Sequence, residues 1–129
     1  MRLTRASQYA VHALAYMASL EGNRPMPSHL VAQAQGIPER FLLKVLLPLV
    51  SAGVLRSLKG PNGGYQLARS PREISLLEIV EAIDGPIRAP ISFEGNNGLA
   101  SRLETIFGQA NESVRRQFQK VRLSELATK

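Results

Sequence analysis

Apolar residues near the start of the chain recur at helical spacing. Ala10, Leu14, Met17 and Ala18, flanked by Val11 and Ala15, form one stripe. Thr4 stands where a capping hydroxyl would, so a helix is expected from there to about Leu20. Glu21-Gly22-Asn23-Arg24-Pro25 ends it. A short second helix should cover Ser28 to Gln35, with Leu30, Val31 and Ala34 on one face and Gly36 as its breaker. Ile37-Pro38 then opens a third helix, because a first-turn proline lacks only an N–H that would be unpaired anyway. Phe41, Leu42, Val45, Leu46 and Leu49 are expected to pack inward, and Pro48 predicts a kink or an early 3₁₀ ending.

Beyond Gly53 the elements change. Val54-Leu55-Arg56-Ser57-Leu58 and Tyr65-Gln66-Leu67-Ala68 read as two short strands joined by Lys59-Gly60-Pro61-Asn62-Gly63-Gly64, a hairpin with a basic shoulder. A further helix is bounded by the capping box Ser75/Glu78, with Ile74 stapled onto Ile79, and by the stop Gly85-Pro86. Residues 87–98, with Pro90 and Gly95-Asn96-Asn97-Gly98, read as a flexible connector. From Leu99 to about Ala127 a long helix places Leu99, Leu103, Ile106, Ala110, Val114, Phe118 and Val121 at spacings of three and four, with Phe107 beside Ile106. At about 1.5 Å per residue it would extend roughly 40 Å, more than so small a domain can cover, so a partner helix is its natural cover. The expected architecture is mainly α with a small β-hairpin: a winged helix-turn-helix over 1–86, a connector over 87–98 and a long dimerisation helix over 99–129.

Composition narrows the chemistry. At 129 residues a large catalytic fold is not expected, and the absence of cysteine excludes disulfides, thiolate metal sites and thiolate-held clusters. No apolar run is long enough to span a membrane, and Met1-Arg2-Leu3-Thr4-Arg5 leads into an amphipathic pattern rather than a signal peptide, so a cytoplasmic protein is expected. The net charge of +6 divides into +7 over residues 1–72 and −1 over 73–129. A basic first part suits a polyanion, and a nearly neutral second part suits protein.

Two short helices joined at a glycine and followed by a basic hairpin would put the third helix in the major groove of DNA. Its outer face offers Glu39 to accept from cytosine N4, Arg40 to bind guanine O6/N7, and Lys44 for guanine or phosphate. Lys59 beside Gly60-Pro61 suits the narrow minor groove, and Arg56 and Ser57 sit where phosphate contacts are expected. The tip lacks the GxxxxGK[ST] spacing of a nucleotide loop.

Met1-Arg2-Leu3-Thr4 with Tyr9-Ala10-Val11, Gly36-Ile37-Pro38-Glu39-Arg40-Phe41-Leu42, Ala52-Gly53-Val54-Leu55, the run Lys59 to Ala68 and the segment Ile74 to Pro86 resemble the Rrf2 family of winged-helix regulators. That family includes the iron-sulfur cluster regulator and a nitric-oxide-sensing repressor. The resemblance implies a homodimer on a partly palindromic operator, with recognition helices in the major groove and wings in the minor groove. It extends the candidate DNA surface to Arg2, Thr4, Ser28, Pro38 and Phe41. Sensing members hold their cluster with cysteines in the loop before the long helix, whereas residues 88–100 here offer Glu94 as the only carboxylate and no thiolate or imidazole. DNA binding is therefore implied without a cluster or other cofactor. Lys59 replaces the family's usual wing arginine, and Pro27 takes the place of a capping serine, leaving Ser28 as the substitute cap.

A transcriptional repressor is the leading expectation, with a protein-interaction module on the same fold as the alternative. No enzyme is expected: His12 and His29 lack paired metal spacing, and GxSxG and HExxH are absent. Glu78, Glu81 and Asp84 read as a solvated face. A small-molecule effector could occupy a cleft beside the long helix, with no residue to name for it.

Overall fold

The computed structural model describes residues 3–87 and 98–127. Helix α1 (Arg5–Ser19) starts where the Thr4 side chain accepts from the Ser7 N–H at 3.1 Å. Its inner face is Ser7, Ala10, Ala13, Leu14 and Met17. A 3₁₀ turn (Glu21–Asn23) leads to α2 (Ser28–Gln35), then α3 (Glu39–Ser51). Strands β1 (Leu55–Leu58) and β2 (Gly64–Leu67) pair antiparallel, Leu55 opposite Leu67 and Leu58 opposite Gly64. Helix α4 (Leu76–Asp84) follows, then α5 (Gly98–Lys120) and the short α6 (Leu123–Leu126). One core joins α1 to α2, α3, α4, β2 and α6, filled by Leu14, Leu42, Leu46, Leu49, Ile74 and Ile79 without exposure. Each such side chain contributes about 1.5 to 3 kcal/mol of burial.

Four of the sequence expectations change within these elements. In α2 the buried residues are Val31 and Ala32, while Leu30 and Ala34 face out. Val31 and Ala32 turn instead toward the same core as Ile37, whose N–H bonds the Ala32 carbonyl at 3.0 Å. Phe41 does not pack inward and is 46% exposed, because it stands at the margin of the stripe that Leu42, Val45, Leu46 and Leu49 complete. Pro48 does not end α3 early. Its ring removes only the bond to the Lys44 carbonyl. The bonds downstream, Ala52 N–H to Pro48 and Val54 N–H to Leu49, form at 2.9 and 3.0 Å around a fully buried Leu49.

The fourth change is at the C-terminus, where the long helix stops at Lys120 instead of reaching Ala127. The Val121 carbonyl accepts from Leu76 N–H, and Leu123 N–H donates to Ile74, both at 2.9 Å. Leu76 begins α4, so this contact satisfies a donor that no helical carbonyl can reach. It also buries Leu123 completely. Those gains outweigh continuing the helix into solvent.

The capping box of α4 forms as expected: Glu78 N–H donates to Ser75 Oγ at 3.1 Å, and Ser75 N–H donates to Glu78 Oε2 at 3.0 Å. Glu78 also pairs with Arg69, which donates to the Gly53 and Glu73 carbonyls and so ties the end of the hairpin to α4. Burial pushes the Glu78 carboxyl up, but the Ser75 N–H, the Arg69 guanidinium and the Ser75 hydroxyl outweigh it and hold it below its ordinary 4.5. A carboxyl depressed in the folded state contributes fully above its unfolded value, and that stability is lost as pH falls through the folded one. Urea unfolding of the wild type and Glu78→Gln should therefore differ at neutral pH and converge below 4.5. A gap that stays constant through that window contradicts the linkage.

Candidate nucleic-acid interface

The corner between α2 and α3 depends on Gly36, whose φ of 64° and ψ of 31° lie in the left-handed region that glycine adopts without penalty. Ile37 is buried just beyond it, and the Pro38 carbonyl accepts from Phe41 and Leu42, each at 3.0 Å. This fixes which face of α3 looks outward. Glu39, Arg40, Phe41, Leu43, Lys44 and Leu47 are exposed there. The Arg40 guanidinium carbon and the Lys44 ammonium lie 5.9 and 5.7 Å from the Phe41 ring centroid, within cation–π range. Ser28 is not a cap: Pro27 holds that position without a side-chain bond, and Ser28 is the first residue of α2. Its hydroxyl donates to Glu39 Oε2 at 2.8 Å, joining the two helices at the surface.

In the hairpin, Gly63 N–H bonds the Gly60 carbonyl at 3.0 Å and leaves Lys59, Gly60 and Pro61 exposed at the tip. Ser57 faces solvent opposite Tyr65, and the exposed Arg56 donates to the Ala68 carbonyl at 3.1 Å. The wing is stapled to the body twice. Met26 and Tyr65 exchange both backbone bonds at 2.8 Å, and the Asn23 side chain pairs with the Leu67 N–H and carbonyl at 3.1 and 3.0 Å. Consequently Pro61, Asn62 and Gly63 share one shallow depression with Arg24, Pro25 and Pro27. The surface thus runs from wing tip to Ser28, Glu39 and Arg40.

Thr4 stands at the start of α1, its hydroxyl donating to Asp84 Oδ1 at the end of α4 at 2.7 Å. Arg2 lies outside the described residues. On α5, Leu99 and Ile106 are 60% and 57% exposed, and Phe107 and Ala110 are also exposed. Leu103, Val114 and Phe118 are half-buried. Val121 has left the helix and does not continue that row. Sequence reasoning missed Leu43, Leu47 and Arg24. The step of three and four from Arg40 to Leu43, Lys44 and Leu47 was the signal for the first two. Nothing local pointed to Arg24, which the Met26–Tyr65 pairing brings to the wing.

A cysteine-held cluster does not fit this chain. It has no thiolate, and among the described residues no group of three or more His, Asp or Glu stands where it could hold a metal ion.

Three helices, a left-handed glycine corner and a stapled two-stranded wing define a winged helix-turn-helix protein. Residues 3–129 match the family model for Rrf2, described as an iron-dependent transcriptional regulator. The chain belongs to the Rrf2 family. It is 43% identical over 93 residues to an rrf2-like HTH-type transcriptional regulator of Rhodobacter capsulatus, covering 69% of this chain and 61% of that relative. The match therefore spans less than two thirds of that relative's length. Protein rrf2 of Nitratidesulfovibrio vulgaris is 30% identical over 131 residues, covering 98% of this chain and 87% of the relative. Among solved structures, CymR, the global cysteine regulator of B. subtilis, superposes with a TM-score of 0.82 at 24% identity, covering 98% of this chain and 96% of that one.

Gly64 carries the wing's position. Its φ is 140°, and a Cβ there would stand 2.3 Å from the Met26 carbonyl. Gly64→Ala should lower stability by at least about 2 kcal/mol, the scale of a backbone clash that cannot relax. Chemical denaturation checks this; an unchanged midpoint would mean the Met26–Tyr65 staple is dispensable.

Proposed function

We propose that this protein is a cytoplasmic, homodimeric DNA-binding transcriptional regulator, most simply a repressor on a partly palindromic operator, working without an iron-sulfur cluster. The observation that carries the reading is the outer face of α3, where Arg40 and Lys44 lie beside a half-open phenyl ring at the head of the helix and Leu43 and Leu47 stand exposed one turn apart. Such a face fits the major groove: Arg40 pairs with guanine, and Lys44 reaches guanine or phosphate. Leu43, 43% exposed between them, offers apolar contact to a thymine methyl. Glu39 would exchange its bond from Ser28 for one from cytosine N4, freeing the Ser28 hydroxyl for the backbone. Lys59, Gly60 and Pro61 would enter the minor groove, and Arg56 and Ser57, with Arg2 and Thr4 at the chain start and Pro38 at the helix head, would meet the sugar-phosphate backbone.

Residues 1–86 would read DNA, 87–98 connect, and α5 pair with its copy. Leu99, Leu103, Ile106, Phe107 and Ala110 supply that seam, with Val114 and Phe118 at its less exposed end. Two copies would present their recognition helices to half-sites about one helical turn, roughly 34 to 36 Å, apart.

Fluorescence anisotropy with operator fragments found by genomic selection tests the reading. Arg40→Ala should cost about 1 to 3 kcal/mol on the preferred base and relax the choice there. Lys59→Ala should weaken all sequences alike and lessen the salt dependence. Leu43→Ala should erase any preference for thymine over uracil at the contacted step. If the wild type fails to prefer its selected site over competitor DNA at moderate salt, the reading fails.

The assembly is tested separately. Ile106→Glu places a charge in the seam and should convert a sedimenting dimer into single chains with much weaker operator binding. A wild type that sediments as one chain at micromolar concentration overturns the homodimer.

A further inference from the structure

We propose that the cleft between the start of α1, the outer side of α3 and the end of α4 binds a small apolar carboxylate, and that its ligand opposes DNA binding. The cleft measures about 390 Å³, within the range of small-molecule sites. Its walls are Ala6, Tyr9, Phe41, Val45, Pro48 and Ile83, apolar but for one phenol. Among the described residues Arg5 and Lys44 are its only charged lining groups, and neither pairs with a carboxylate there. Asp84, next to Ile83, is engaged by the Thr4 and Ser7 hydroxyls, each at 2.7 Å. An apolar recess with two cations and no lining acid matches a ligand with one negative head and a hydrocarbon or phenyl body. A bare phosphate would leave the walls unused, and a neutral alcohol would leave both cations unpaired.

Lys44 and Phe41 belong to this cleft and to the outer face of α3 alike. A carboxylate that draws Lys44 into the cleft neutralises a cation the DNA would otherwise use. Binding of ligand and DNA then oppose each other by the same factor in both directions. This coupling rests on the proposed DNA reading; the site itself does not.

Isothermal titration of the full chain with sodium octanoate should give saturable binding at one site per chain. Octanol and inorganic phosphate should each bind at least about tenfold more weakly, the equivalent of about 1.4 kcal/mol. Arg5→Gln, a change at an exposed position, should lower octanoate affinity about tenfold, in line with loss of one charge-assisted contact. Ala6→Leu should fill the recess and abolish binding. Saturating octanoate should weaken operator binding by the wild type and leave that of Ala6→Leu unchanged. No saturable heat, octanol binding as well as octanoate, or both variants binding like the wild type would overturn the site. Octanoate that binds without changing operator affinity overturns the control. Should no DNA be bound in any condition, the proposed function fails, while calorimetry still decides the site.

Discussion

The winged domain depends on how closely its elements approach α1. That helix packs against α2, α3, α4, β2 and α6, and it meets them with methyl groups: Ala10 and Ala13 are fully buried beside Leu14 and Met17. Helix axes come to the shorter end of the usual 8 to 10 Å only where such small side chains lie at the crossing. Larger residues there would push out α3 or α4, at about 1 to 3 kcal/mol for each overpacked site. Helix α3 is therefore seated against the smallest residues of a neighbouring helix, and the chemistry on its far side is free to vary.

Polar contacts then fasten what the core has positioned. Ser7 is fully buried, and its hydroxyl is satisfied by Asp84, which also takes the Thr4 hydroxyl. One helical turn earlier, Glu81 accepts from Ile87 N–H at 2.8 Å and pairs with Arg115 of α5. The last turn of α4 thus holds the start of α1, the chain just beyond the helix and the C-terminal part of α5. Since α4 also packs on α3, it is in contact with both α5 and α3.

The elements were legible wherever a local signal decided them: the capping box at Ser75, the left-handed stop at Gly36 and the Gly/Pro turn between two short runs after Gly53. What escaped the sequence was decided by contacts distant along the chain. The direction of Phe41 depends on how far the core stripe of α3 extends, and that is set by α1 and α4. The end of α5 at Lys120 depends on Ile74 and Leu76, more than forty residues earlier, offering backbone partners. The candidate interface was legible in its charges and not in its leucines, because exposed apolar residues on a helix read from sequence as core. Asn23 looked like part of a turn, yet its side chain stands in for a strand beside Leu67.

An outer helix face bearing Phe41, Leu43 and Leu47, the last 69% exposed, calls for a physical reason. Single exposed leucines are ordinary, but apolar side chains one turn apart on one helix mark a surface meant to be covered. Cations among them rule out a purely apolar cover, since desolvating Arg40 and Lys44 without an acceptor would cost several kcal/mol. The cover must combine acceptors with methyl or hydrocarbon groups. The major groove does so in guanine edges and thymine methyls, and an apolar carboxylate does so on a smaller scale. The ligand proposed for the cleft beside α3 is of the second kind, its charged head matched to Arg5 and Lys44 and its body to Ala6, Tyr9 and Ile83.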